Sequence, residues 1–156
     1  SYLESQNINR YFIEIGGEIV AKGKNDDEKI WRIGVDKPSE DIDVNARFQF
    51  ILDLQDKALA TSGNYRKFYE KDGVRYSHMI NPITGFPVSN RLLSVTVIYD
   101  NCILADAYAT AFMVMGVSKV KEFVKKRPEI EVYLIYSGPE GEWKTYISPN
   151  MLERII

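Results

Sequence analysis

Residues 93–127 read LSVTVIYDNCILADAYATAFMVMGVSKVKEFVKKR, and this segment carries the strongest signals of the fold. Its first seven residues are rich in β-branched and aromatic side chains, which predicts a strand. Asp100 or Asn101 is expected to cap the helix that follows. Gly116 separates that helix from a second one, which ends before Pro128. The segment therefore predicts a strand followed by a helical pair.

Short strand patterns lie on both sides of this helical pair. Asp72 and Gly73 between two such patterns are typical of a hairpin turn. Many hairpins beside a helical pair predict an α+β fold, with a largely antiparallel sheet of hairpins and the helices packed on one face. The 156 residues are expected to form a single domain. Strands are predicted at residues 10–15, 18–21, 30–35, 48–54, 65–70, 74–77, 93–99, 132–136 and 144–147, with a further strand edge at 58–62 and a short C-terminal helix at 151–156.

Composition excludes several classes of protein. The formal net charge is -2, and lysines and arginines are scattered rather than clustered as nucleic-acid binding requires. The one basic cluster, residues 125–127, complements the negative end of a helix dipole. No apolar run approaches the roughly 20 residues that span a bilayer. Cys102 is the only cysteine, so no internal disulfide forms, and its apolar neighbours predict a buried side chain.

The stretch ATSGNY at residues 60–65 is a first candidate functional segment. Small hydroxyl residues before a glycine can leave backbone N–H groups free to hold an anion. A simple turn explains the same composition.

The stretch YSHMINPITGFPV at residues 76–88 contains His78, the only histidine in the chain. His78 ends a predicted strand, just before a turn that Pro82 and Gly85 indicate. Histidine can transfer a proton near neutral pH or stabilise a developing negative charge. The alternative is a structural histidine with satisfied hydrogen bonds.

The stretch LADAYATA at residues 104–111 places Asp106 and Thr110 four residues apart, on one face of the predicted helix. A carboxylate and a hydroxyl suit Mg²⁺, which prefers oxygen ligands and keeps waters or substrate phosphates in its coordination sphere. The alternative role of Asp106 is capping or stabilisation of the helix dipole.

These and other motifs occur in a fixed order along nearly the whole chain. They are IGGEI at 15–19, ATSGNY at 60–65, YSHMINPITGFPV at 76–88, SVTV at 94–97 and LADAYATA at 104–111, followed by Gly116. The ordered set resembles the FAD:protein FMN transferases, the ApbE family formerly described as thiamine biosynthesis lipoproteins. Members of that family are longer, so the resemblance implies that residues 1–156 are the C-terminal part and that the N-terminal part is absent.

The resemblance implies an activity and a set of site residues. Family members use Mg²⁺ to transfer FMN from FAD to a Ser or Thr hydroxyl of an acceptor protein, and they release AMP. By motif position, Asp106 and Thr110 match the metal-binding pair, His78 the catalytic histidine and Ile80 a flavin contact. Gly16, Gly17 and Gly63 are expected to shape the pocket but not to act as ligands.

The resemblance also implies partners and a location. Acceptors are typically subunits of membrane redox complexes, such as sodium-pumping NADH:quinone reductases. Many members are lipoproteins exported to the periplasmic face of the inner membrane, so contact with the membrane is expected only through a lipid anchor in the N-terminal part. Two alternatives remain open for this chain. One is Mg²⁺-dependent hydrolysis of FAD to FMN and AMP, and the other is a non-catalytic flavin-binding fragment.

Overall fold

The computed structural model describes residues 2–37, 47–64, 68–71, 74–77 and 79–156. The strands are β1 (Tyr11–Ile15), β2 (Glu18–Lys22), β3 (Trp31–Asp36), β4 (Phe48–Leu54), β5 (Lys57–Gly63), β6 (Phe68–Lys71), β7 (Val74–Ser77), β8 (Leu92–Tyr99), β9 (Glu131–Ser137) and β10 (Trp143–Ile147). The helices are α1 (Tyr2–Ser5), α2 (Cys102–Met115), α3 (Val117–Lys125) and α4 (Pro149–Leu152).

A six-stranded sheet in the order β1-β2-β5-β8-β9-β10 forms the centre of the fold. Every neighbouring pair in it is antiparallel. The strands β3 and β4 form a separate two-stranded sheet, as do β6 and β7. This arrangement confirms the predicted α+β fold with a largely antiparallel sheet.

Two apolar clusters cover the two faces of the six-stranded sheet. On one face, Val95 and Val97 of β8 pack with Phe112 of α2 and Val120 of α3. On the other face, residues of β2, β5 and β8 pack with the β3–β4 hairpin and α4. Alternate residues of a strand point to opposite faces, so one strand can contribute to both clusters. The fold therefore has three layers, and the helical pair lies on one face of the sheet as the sequence predicts.

The strand β5 lies in the interior of the sheet rather than at an edge. It pairs with β2 on one side and with β8 on the other. Residues 60–63 are therefore part of a strand, in agreement with the strand edge predicted at 58–62, and neither the anion-binding loop nor the simple turn describes them. The local composition resembles a loop because Thr61, Ser62 and Gly63 are small and polar. Their partners in β8 lie more than 30 residues later in the chain and leave no local signal.

The hairpin prediction is confirmed, whereas the C-terminal helix and the burial of Cys102 differ from what the sequence predicts. The strands β6 and β7 pair as the Asp-Gly turn predicts, with Lys71 opposite Val74. The C-terminal helix ends at Leu152, earlier than predicted, and Ile155 instead forms a bridge to Leu52. Cys102 is only partly buried. In the part of the chain that the structure describes, no helix is long and apolar enough to cross a bilayer.

Candidate functional site

The start of α2 determines how Asp106 can act. The side-chain oxygen of Asn101 accepts a hydrogen bond of 2.9 Å from the backbone N–H of Leu104, which makes Asn101 the N-cap. Asp100 instead pairs with Lys57, at 2.6 Å. No acidic residue lies in the first turn of α2. Capping and stabilisation of the helix dipole therefore do not account for Asp106.

Asp106 and Thr110 lie on the exposed side of α2. The helix packs on the sheet through Ala105 and Ala109, which are fully buried, and their small size lets it approach the strands closely. The Thr110 Oγ1 atom lies 3.1 Å from Ser62 Oγ at the end of β5. The predicted pair thus shares one face of the helix, and its hydroxyl member is fixed to the central sheet.

Negatively charged side chains dominate the surroundings of Asp106 and Thr110. Cys102 precedes Asp106 by one helical turn, and the pKa of its thiol is raised by partial burial and then by the negative charges of Glu18 and Asp106. Glu18 belongs to β2 and is partly buried. Two carboxylates therefore influence one thiol at this end of α2, and their field favours a cation over an anion.

The donor set of Asp106 and Thr110 fits Mg²⁺. A carboxylate and a hydroxyl are hard oxygen donors, which this ion prefers. Among the described residues, no three His, Cys, Asp or Glu side chains are grouped so that they could hold a metal ion. A site with few protein donors suits an ion that keeps waters and takes phosphate oxygens as ligands.

The segment from Met79 to Val88 forms a compact, hydrogen-bonded loop. The Gly85 backbone N–H donates to the Asn81 carbonyl at 2.8 Å, and the Ile83 N–H donates to the Asn81 side chain at 2.9 Å. These bonds confirm the predicted turn. Ile80 forms an isolated bridge with Pro87 and is 50% exposed, so it is accessible to a ligand. His78, the predicted catalytic residue, lies outside the described residues.

A cavity of about 420 Å³ lies on the opposite face of the sheet, between β1, β2 and the β3–β4 hairpin. Gly16 and Gly17 line it, whereas Gly63 does not belong to its lining. Arg47, which also lines it, donates two hydrogen bonds to the carboxylate of Asp36, at 2.7 and 3.0 Å. The hydrogen bonds and charge of Asp36 raise the pKa of Arg47. Sequence reasoning missed this pair, because strand pairing alone brings the two residues together.

Comparison with known proteins places these features in a family. The model of the ApbE family matches residues 1–134. A FAD:protein FMN transferase of Vibrio cholerae is 47% identical over 149 residues, which are 96% of this chain and 43% of that protein. The FAD:protein FMN transferase of Escherichia coli K12 is 40% identical over 155 residues, 99% of this chain and 42% of that protein.

Solved structures of flavin transferases have a fold similar to that of this chain. The flavin transferase ApbE from Vibrio cholerae superposes with a TM-score of 0.81 at 44% identity, covering 98% of this chain and 47% of that chain. The apo form of the Pseudomonas stutzeri flavinyl transferase ApbE gives a TM-score of 0.81 at 31% identity, covering 98% of this chain and 46% of that chain.

The chain thus spans less than half the length of the curated relatives it matches. Sequence and fold nevertheless agree over nearly all of its residues, and the resemblance of its motifs is confirmed. The chain belongs to the ApbE family.

Proposed function

We propose that this chain is the metal-binding part of a flavin transferase, which moves FMN from FAD to a Ser or Thr hydroxyl of an acceptor protein and releases AMP. The observation that supports it best is the exposed pair of Asp106 and Thr110, whose hydroxyl member is fixed to Ser62. Relatives named FAD:protein FMN transferase, at 40 to 47% identity, support the same reaction.

Asp106 and Thr110 are proposed to hold Mg²⁺ through the carboxylate and the hydroxyl oxygen. When bound there, Mg²⁺ would neutralise negative charge on the linked phosphates of FAD. Asp106 supplies the charge that attracts the cation, and Thr110 supplies a neutral donor one turn further along the helix. Ile80, half-exposed on a hydrogen-bonded loop, is proposed to contact the flavin.

In the proposed transfer, the acceptor oxygen bonds to the phosphorus of the FMN half of FAD. The bond from that phosphorus to the bridging oxygen breaks, and AMP leaves with this oxygen. The acceptor hydroxyl loses its proton. His78 is proposed to act in this step, either as the base that takes the proton or as a donor that stabilises charge at phosphorus.

The test incubates the chain with FAD and Mg²⁺, with and without a flavin-acceptor subunit of a sodium-pumping NADH:quinone reductase. Chromatography measures AMP and free FMN, and in-gel fluorescence measures the flavinylated acceptor. Asp106→Asn is expected to reduce AMP release about 100-fold, because a charged group at the phosphates is lost. His78→Ala is expected to abolish transfer while FAD binding persists.

The matched control is Asp26→Asn, the same chemical change in the exposed turn between β2 and β3. It is expected to leave AMP release unchanged. Free FMN without acceptor would instead identify FAD hydrolysis. If FAD and Mg²⁺ gave no product and did not raise the melting temperature, the chain would be a fragment without this function.

Further properties of the whole protein are proposed from the same resemblance. The acceptor is proposed to be a subunit of a membrane redox complex. The full-length protein is proposed to be an exported lipoprotein at the periplasmic face of the inner membrane, with residues 1–156 as its C-terminal part.

A further inference from the structure

We propose that Ser62 is a positioning residue, which holds the Thr110 hydroxyl in the orientation that binds a divalent cation together with Asp106. This inference rests on the proposed function, because it assumes that Asp106 and Thr110 are the metal-binding pair. Ser62 itself touches neither metal nor substrate in this account. Its role is to fix one rotamer of Thr110.

The contact that carries the proposal joins β5 to α2. Ser62 Oγ and Thr110 Oγ1 are 3.1 Å apart, although the two residues are 48 positions apart in the chain. The backbone of Ser62 is held in the sheet opposite Val95 of β8. The hydroxyl of Ser62 is therefore presented from an interior strand rather than from a mobile loop.

The donor in this bond is assigned to Thr110. An oxygen that binds a cation directs a lone pair at it, so its hydrogen points away from the cation. With a cation bound, that hydrogen can reach Ser62 Oγ, 3.1 Å away, and in this account Thr110 donates and Ser62 accepts. Without such an acceptor, a threonine in a helix can rotate its hydroxyl back to the carbonyl four residues earlier, which here belongs to Asp106. Ser62 stabilises the rotamer that keeps the oxygen available.

The neighbouring residue of β5 provides a matched control. Thr61 points to the other face of the sheet, where its Oγ1 lies 2.9 Å from Thr96 Oγ1. Thr96 is buried and belongs to β8. This second hydroxyl–hydroxyl bond resembles the first in chemistry and length, but it lies on the face opposite α2. Thr96→Val removes it without changing side-chain shape.

The experiment measures Mn²⁺ binding to the 156-residue chain by electron paramagnetic resonance of the free ion, with Mg²⁺ as competitor. Wild type is expected to bind Mn²⁺ that Mg²⁺ displaces, and Asp106→Asn is expected to lose this binding. Ser62→Ala is expected to weaken it about fivefold, the effect of one hydrogen bond. Ser62→Thr restores the hydroxyl and is expected to restore affinity. Thr96→Val is expected to bind as wild type does.

Urea unfolding in EDTA separates positioning from stability. Ser62→Ala and Thr96→Val are expected to destabilise the fold to a similar degree, while only Ser62→Ala changes metal affinity. Equal Mn²⁺ affinity in wild type and Ser62→Ala would overturn the role of Ser62 but leave the metal pair intact. Failure of Ser62→Thr to restore affinity would also overturn it. Absence of Mn²⁺ binding by wild type, or unchanged binding by Asp106→Asn, would overturn the proposed metal pair and with it this inference.

Discussion

Gly116 connects α2 and α3 in a conformation that only glycine adopts readily. Its φ of 79° and ψ of 165° lie in a region that is essentially closed to residues with a Cβ atom. A Cβ atom here would also lie 3.4 Å from the side chain of Asn90. That side chain donates a hydrogen bond of 2.8 Å to the Met113 carbonyl, near the end of α2. The direction of α3 therefore depends on this one residue.

Gly116→Ala is expected to lower the free energy of unfolding by about 2 kcal/mol, since the backbone must leave its preferred conformation or remain strained. Urea denaturation measures the change. Gly141→Ala is the control, because Gly141 also has a positive φ, 85°, but a Cβ atom there meets nothing within 4 Å. A similar loss is expected in the control, because 3.4 Å is an ordinary van der Waals distance and the positive φ carries the cost. A much larger loss in Gly116→Ala would show that the contact with Asn90 adds to it.

Residue-scale chemistry could be read from the sequence only where partners are close in the chain. Asp106 and Thr110 lie one helical turn apart, so helical periodicity alone places them on one face. Ser62, whose hydroxyl contacts Thr110, belongs to a stretch for which the sequence predicts both a strand edge at 58–62 and a loop or turn at 60–65. Its contact with Thr110 depends on how β5 pairs, and helical or strand periodicity does not encode that choice.

At the scale of elements, the turn between β4 and β5 is tied to the end of β2. Asp56 Oδ1 accepts a hydrogen bond of 3.1 Å from the Gly23 backbone N–H and lies 3.5 Å from the Lys22 ammonium group. The Gly23 hydrogen bond is the largest cause that lowers the pKa of Asp56, and Lys22 adds to it. Ionised Asp56 therefore stabilises the contact between the two turns.

The pH dependence follows from the sign of this shift. A carboxyl whose pKa is lower in the folded state stabilises the fold above its unfolded pKa of about 3.9, and this stabilisation is lost as pH falls through the folded value. Wild type is expected to melt at a higher temperature than Asp56→Asn at pH 7, and the difference is expected to be smaller at about pH 2, below the unfolded pKa. Asparagine tolerates the positive φ at this position, so backbone strain does not change.

Calorimetry at both pH values checks this expectation, and added salt identifies the cause. Asparagine also offers an oxygen to the Gly23 N–H, so the difference reports the charge of Asp56, and the part due to the exposed Lys22 should fall in high salt. A difference as large at pH 2 as at pH 7 would contradict the account.

Element-scale predictions succeeded where a local signal was strong and failed where it was not. The β6–β7 hairpin follows from one Asp-Gly turn, and α2 follows from its cap and from Gly116. The interior position of β5 did not follow, because its neighbours β2 and β8 come from distant parts of the chain. The short helix α1 (Tyr2–Ser5) had no apolar periodicity that could predict it, and none of its residues is buried.

At the scale of the whole molecule, the six-stranded sheet separates two apolar clusters. Val120 of α3 lies in the cluster under the helices, and Ile33 of β3 lies in the cluster under the hairpin. Because the sheet lies between them, cavities made on the two sides should not influence each other.

Val120→Ala is expected to destabilise the fold by about 2 kcal/mol and Ile33→Val by about 1 kcal/mol. The double variant should equal the sum of the two within about 0.5 kcal/mol, as measured by urea denaturation. Ile33→Val combined with Leu52→Ala is the control pair, since both residues belong to one cluster and should couple. A large coupling between Val120 and Ile33 would show that strain passes through the sheet.

The hydrogen bonds of Thr61 and Ser62 restrict the insertions and deletions that β5 can accept. Thr61 and Ser62 are consecutive, yet one faces the hairpin and the other faces α2. Inserting or deleting a single residue early in β5 would exchange their directions and put the wrong side chain beside Thr110. We therefore expect homologues to tolerate only indels of even length in this strand, or none.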